Sequence, residues 1–201
     1  MIDCSKVDCS KWDVYYDIIT ERCLKYYESE ERKNPWELAI DLMDIPEFPM
    51  HCPQHHYLVP AVLLTVCRQA QGATIEQLKK DLDVANERAR NVLAGFCGWY
   101  GACGAAVGVG IFMSIFTNTN PCSEKSWSLT NRATALSLLK MSEINGPRCC
   151  KRNTYIAIDS TRDFIEKHLS ISLDKPEKVV CKYSERNLEC KKEQCPFYLS
   201  D

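Results

Sequence analysis

The stretch Cys52-Pro53-Gln54-His55-His56 sets one thiol three and four residues ahead of two imidazoles. On a helix, residues at that separation share a face. A thiol and an imidazole so placed suit a nucleophile with its acid/base partner, or two ligands of one metal ion. The four-residue spacing aligns His56 with Cys52, and His55 lies beside it. His51 and His168 have no comparable company.

Two more stretches offer thiols. GFCGWYGACGAAVGVG, residues 95–110, holds Cys97 and Cys103, six of the chain's eight glycines and no charge. Gly-Pro-Arg-Cys149-Cys150-Lys151-Arg152 sets two adjacent thiols among three cations. Cys52, the Cys97/Cys103 pair and the Cys149/Cys150 pair all fall where a helix is expected to begin. A helix start presents unpaired N–H groups and the positive end of a dipole. Both favour thiolate, the form that attacks and ligates. Lys151 and Arg152 add positive charge and suit an anionic substrate. Gly98, Gly101 and Gly104 flank the thiols and would let backbone approach a bound cluster. Gly104 and Gly108, four apart, would instead admit a close neighbouring helix, so helix packing is the competing use of these glycines.

The last 26 residues carry Cys181-x8-Cys190-x4-Cys195-Pro. Three thiols in a short polar segment need a fourth ligand to close a tetrahedral zinc site or to hold a four-iron cluster. Cys149 or Cys150 is the expected donor.

Thirteen cysteines in 201 residues are too many for ordinary core use. The chain opens MIDCSKVDCSKWD, an opening from which no secretory leader is expected, and the cysteine count is odd. Metal or redox chemistry in a cytoplasmic protein is therefore expected over a disulfide framework. Cys67, inside AVLLTVCRQA, is expected to be a small core residue. Cys4, Cys9 and Cys23 read as packing or exposed thiols, with a Cys4/Cys9 metal clip as the second reading. A net charge of −2 gives no sign of nucleic acid binding. Residues 91–123 lack charge, which raises the question of a membrane span. Glycines at 95, 98, 101 and 104 argue against it, each costing a helix about 1 kcal/mol relative to alanine. The continuous apolar part, residues 102–116, has the length of a buried core helix.

The elements that position these thiols are helices. WDVYYDIITERCLKYY and NPWELAIDLM have helical periodicity and, in the second, an Asn-Pro start. DIPEFPMHCPQ, with its three prolines, reads as a linker. Pro53 suits the first turn of the next helix, and Pro60 is expected to kink or divide it. Thr74 with Gln77 forms a capping box. ACGAAVGVGIFMSIF, SWSLTNRATALSLLKMSEI and NTYIAIDSTRDFIEKHL follow. The expected fold is mainly α: a compact bundle around the central glycine-rich apolar helix, with a small irregular cysteine-rich C-terminal module. Residues 1–50 read as an N-terminal helical extension, 51–175 as the core and 176–201 as a metal-binding tail.

The combination of CPQHHYLVP, GFCGWYGACGAAVGVGIF, GPRCCKR and CPFY resembles an uncharacterised domain-of-unknown-function family of archaeal and anaerobic bacterial proteins, over about residues 50 to 200. The GACGAAVG portion also resembles the C-GCAxxG-C-C group of redox-active helical proteins. This chain departs from that group in its paired histidines and cysteine tail. The first family brings no established activity, and both resemblances agree with thiol or iron–sulfur chemistry.

The leading expectation is an iron–sulfur protein of sulfur or thiol chemistry: desulfuration, sulfur transfer or thiol redox exchange. Cys97, Cys103 and Cys149 or Cys150 would hold a [4Fe-4S] cluster. Cys52, His55 and His56 would line the pocket, and Lys151 and Arg152 would hold a small anionic or sulfur-containing substrate. The alternatives are a zinc- or cluster-stabilised binding protein without catalysis, and a metal-free dithiol oxidoreductase. No Cys-x-x-Cys supports the last. No membrane partner is expected, and a homodimer is left open.

Overall fold

The computed structural model describes residues 10–29 and 34–199. Cys4 and Cys9 lie outside them. The described residues form eight α-helices: α1 (Val14–Glu28), α2 (Pro35–Met43), α3 (Gln54–Gln71), α4 (Ile75–Arg90), α5 (Phe96–Trp99), α6 (Gly104–Phe116), α7 (Lys125–Ser142) and α8 (Cys150–Leu169). Among them there is no strand, only one bridge between Cys181 and Tyr198. No described helix is long and apolar enough to cross a membrane.

Local chemistry sets the helix ends. The Asn34 side chain accepts from the Trp36 and Glu37 N–H groups at 3.0 and 3.3 Å, and Pro35 fills the first position of α2. The Thr74 hydroxyl caps α4 by accepting from Gln77 N at 3.2 Å. α3 stops at Gly72, whose φ of 68° carries the chain into a left-handed turn.

α6 packs against α3, α4, α7 and α8, and α3 in turn packs against α1, α2, α4, α6 and α8. The glycines of α6 set the approach of its neighbours. A Cβ at Gly108 would stand 2.8 Å from Pro60 Cδ and 2.9 Å from the His56 carbonyl oxygen. α3 runs through Pro60 as one helix. Proline has no N–H, so the His56 carbonyl loses its usual helical donor, and the bare backbone of α6 lies against that spot. On another side, a Cβ at Gly110 would overlap Thr134 Oγ1 of α7 at 2.2 Å.

The two N-terminal helices are part of this core. Tyr16, Ile19 and Cys23 of α1 and Trp36, Leu38 and Leu42 of α2 are buried in the same cluster as α3. Phe48 and Ile45, from the proline-rich connection, are buried there too. Cys67 is fully buried, as its apolar surroundings in the sequence predict. Among the described residues from 176 onward there is one short 3₁₀ turn, Lys192–Gln194, and only Tyr183 and Asn187 are buried.

Candidate functional site

The expectation that thiols sit at helix starts holds at three places. Cys103 is the N-cap of α6 and Cys149 the N-cap of α8. Cys52 precedes Pro53, the N-cap of α3. Packing of α3, α6 and α8 brings these starts together. The Cys150 thiol is pushed well above its ordinary value, first by the protein packed around it and then by Cys52, Cys103 and Cys149. A backbone hydrogen bond from Cys52 pulls it the other way. Cys103 Sγ accepts from Asn153 Nδ2 at 3.2 Å, and Arg152 Nε donates to the side-chain oxygen Oδ1 of the same Asn153 at 3.4 Å.

The imidazole facing Cys52 is His55, at 3.3 Å between Nδ1 and Sγ. His55 Nδ1 also lies 3.2 Å from the Cys52 carbonyl oxygen. A carbonyl only accepts, so Nδ1 carries the proton and Nε2 is the bare nitrogen. That Nε2 is buried without a hydrogen-bond partner. Burial, with Lys151 second, keeps this imidazole neutral by lowering its pKa well below the usual range. His56, which the four-residue spacing aligned with Cys52, turns elsewhere. Its Nδ1 donates to the Val92 carbonyl at 2.7 Å, and its ring lies over Gly104, where a Cβ would come within 2.1 Å of it. The helix begins only at Gln54, so Cys52 is not yet on the helical path that spacing assumed.

Lys151 and Arg152 are not on a solvent-facing basic turn. Lys151 has 0% exposure. Its Nζ donates to the Met43 carbonyl at 3.2 Å and stands over the Phe48 and Tyr183 rings at 4.4 and 4.8 Å. Burial lowers its pKa to about 8, and the Cys52 charge is the first influence opposing that drop. The Arg152 guanidinium donates to the Pro147 carbonyl at 3.1 Å, besides its contact with Asn153.

A second set of thiols gathers on the other side of Cys149. Burial raises the Cys149 thiol, the Arg152 N–H and guanidinium lower it, and Cys195 raises it further. Cys181 is raised by burial, lowered by the Tyr183 N–H, and raised again by Cys149, Cys195 and Cys190. Burial therefore outweighs the helix-start effect at Cys149 and Cys150: both stand above the ordinary thiol range, where the sequence predicted easier ionisation. The adjacent cysteines divide between the two sets. Cys150 joins Cys52 and Cys103, and Cys149 joins the tail.

His51 and Asn187 stand at the junction. His51 Nδ1 accepts from the Cys150 N–H at 3.5 Å, so its proton sits on Nε2 and goes to Asn187 Oδ1 at 3.2 Å. Asn187 Nδ2 in turn lies 3.7 Å from Cys149 Sγ. Sequence reading passed over His51, Asn153 and Asn187. Adjacency to Cys52 and to the Cys149/Cys150 pair was the only signal for the first two. Asn187 had none beyond lying between Cys181 and Cys190.

The remaining candidates are the loop residues. Cys97 is half-buried on the four-residue α5. Gly98 and Gly101 have no protein atom within 4 Å of where a Cβ would stand, and Gly101 has φ +66°. Gly104 alone of the three is pressed by a neighbour, and that neighbour is His56.

The eleven described cysteines are free thiols. A thiol-rich donor set suits soft or borderline metals, iron and zinc among them. The amides directed at Cys103, Cys149, Cys150 and Cys181 are the kind that support thiolates. As the side chains stand, no three His, Cys, Asp or Glu among the described residues already close on one metal position. A bound ion would have to draw the sulfurs inward.

No curated protein and no solved structure matches this chain. The model of one family of unknown function, DUF5714, matches residues 19–198, which takes in α2 and most of α1 together with the tail. With nearly its whole length covered, the chain belongs to that family.

Proposed function

We propose that this chain is a metal–thiolate protein of the iron–sulfur kind, carrying out sulfur or thiol chemistry on a small anionic or sulfur-containing substrate. The observation that supports this reading is the meeting of Cys52, Cys103 and Cys150 from three separate helix starts. Core packing by itself has no use for three thiols, a bare imidazole nitrogen and a buried ammonium in one neighbourhood. Cys97, Cys103 and Cys150 would hold the cluster, which supplies electrons or a Lewis-acidic iron when bound. Cys52 is the reactive thiol. His55 keeps a proton at Nδ1, 3.3 Å from that sulfur, and a hydrogen bond from it would support the Cys52 thiolate. Lys151 places positive charge close to Cys52 and favours an anionic substrate there.

The second reading is a metal-stabilised binding or accessory protein without catalysis. The tail favours it, because a segment with two buried side chains has little apolar surface to hold it.

Purification without oxygen, with iron, zinc and acid-labile sulfide determined together, tests both. Stoichiometric iron and sulfide, lost in Cys103→Ser, support the first reading. Zinc as the sole metal supports the second. A folded chain without any metal overturns both.

A further inference from the structure

We propose that Cys149, Cys181, Cys190 and Cys195 form a separate four-thiolate site for a single zinc-class divalent ion, which clamps the C-terminal tail to the start of α8. This goes beyond the reading of the Cys52 pocket and does not depend on it.

The four residues are linked in a ring of contacts. Asn187 joins Cys149 and Cys190: its Nδ2 reaches Cys149 Sγ at 3.7 Å, and its backbone carbonyl accepts the Cys190 N–H at 3.0 Å. The short turn Lys192–Gln194 carries the chain from Cys190 to Cys195. The Tyr198 N–H then bonds the Cys195 carbonyl at 3.0 Å. Tyr198 pairs with Cys181, whose N–H donates to the Phe197 carbonyl at 2.6 Å. The ring closes between Cys181 and Asn187: Tyr183 N donates to Cys181 Sγ at 3.5 Å, and the carbonyl of the following residue, Ser184, accepts the Asn187 N–H at 3.3 Å.

Each turn also directs backbone N–H at sulfur. Arg152 N donates to Cys149 Sγ at 3.5 Å, Tyr183 N to Cys181 Sγ at 3.5 Å, and Lys192 N to Cys190 Sγ at 3.4 Å. These bonds offset the charge of thiolates. Lys191, Lys192 and Arg152 lie within three residues of the ligands in the chain, while Lys182 pairs with Asp44. A complete set of four protein ligands leaves no open position, which marks a structural centre rather than a catalytic one. The set would add to the tail's other anchors, the Tyr183 hydroxyl on Asp44 at 2.6 Å, Arg186 on the Phe48 carbonyl at 3.1 Å and Phe197 against Tyr155. It also answers which adjacent cysteine closes the tail site: Cys149, with Cys150 left to the core.

The test uses the full chain, stripped with chelator under reducing conditions and titrated with zinc. Cys190→Ser and Cys195→Ser should each lose one tight zinc equivalent, while Cys103→Ser keeps it. Trypsin reads the clamp at Lys182, Lys191 and Lys192. With zinc at a hundred times its Kd, tail opening and therefore cleavage should slow about a hundredfold, and the slowing should vanish in Cys190→Ser. Retention of the zinc equivalent by both serine variants overturns the proposal. Its loss in Cys103→Ser as well does so too, because that result describes one shared site. Iron with sulfide lost in Cys190→Ser replaces the zinc ion by a cluster and also overturns it. Failure of the Cys52 pocket to bind iron leaves all these outcomes readable.

Discussion

The two sets of thiols meet at one peptide bond, between Cys149 and Cys150, yet they are built by different means. The Cys52, Cys103 and Cys150 set is held by three packed helices. Its geometry depends on residues that carry no sulfur: Gly104 under His56, and Gly108 under Pro60. The tail set is held by turns, by Asn187 and by contacts to sulfur itself. Helix packing resists change at a distance from the thiols, because a close-packed interior passes on any added volume. Turns resist change only where their own hydrogen bonds are cut. The comparison therefore predicts that the core set is broken by volume and the tail set by lost polar contacts.

The largest effect should come from Gly104→Val. A Cβ there already meets the His56 ring at 2.1 Å, and valine adds two methyl groups beyond it. We expect a loss of about 3 kcal/mol in urea unfolding, at the upper end of overpacking costs. Adding His56→Ala to the same chain should recover part of that loss, since it opens the space the valine needs. A double variant no more stable than Gly104→Val would place the strain elsewhere and break the link between α3–α6 packing and the core thiols.

Next comes Asn187→Ala. It leaves the Glu189 N–H and the His51 Nε2–H without their acceptor, and Cys149 Sγ without one donor. The cost should be about 1–2 kcal/mol, the penalty for orphaned buried polar groups. It should appear locally, as faster hydrogen exchange and trypsin cleavage in residues 181–198, with the global unfolding midpoint changed little. An equal fall in global stability would mean that the tail and core unfold as one unit, and the distinction between the two sets would fail.

The same contrast explains what the sequence made legible. Helical periodicity, the Asn34 and Thr74 caps and the uncharged run through α6 were enough to predict a helical bundle with α6 largely buried in it. Thiols at helix starts were also readable, because Pro53, Gly104 and the Cys149 cap lie at recognisable boundaries. The partner of Cys52 was not. The spacing argument started the helix two residues too early, and His55 took the place expected of His56. The burial of Lys151 was hidden as well: a cation in RCCKR looks solvated until Phe48 and Tyr183, some 100 residues before it and 32 after it, are seen to flank its Nζ. Periodicity encodes local geometry, and these placements depend on which helices meet. The N-terminal helices illustrate the same point. Their sequence shows amphipathic faces but not the surface that receives them, so an extension and a core layer read alike.

Gly98→Ala should have the smallest effect and the finest resolution. The residue lies in α5 next to Cys97, and no protein atom comes within 4 Å of the added methyl. Alanine favours helix over glycine and restricts the unfolded chain, so stability should rise by about 0.5 kcal/mol. Gly101→Ala differs, because φ +66° strains any side chain there and should cost about 1 kcal/mol. Packing alone therefore predicts opposite signs for two glycines three residues apart. If the glycines serve only the chain's own conformation, metal content stays the same in both variants. If the open face of Gly98 is where a bound cluster lies, Gly98→Ala loses iron while the protein remains as stable as before or more so. Stability and metal content moving in opposite directions at Gly98 would assign the empty space beside Cys97 to a ligand, and unchanged iron would confine the core site to Cys52, Cys103 and Cys150.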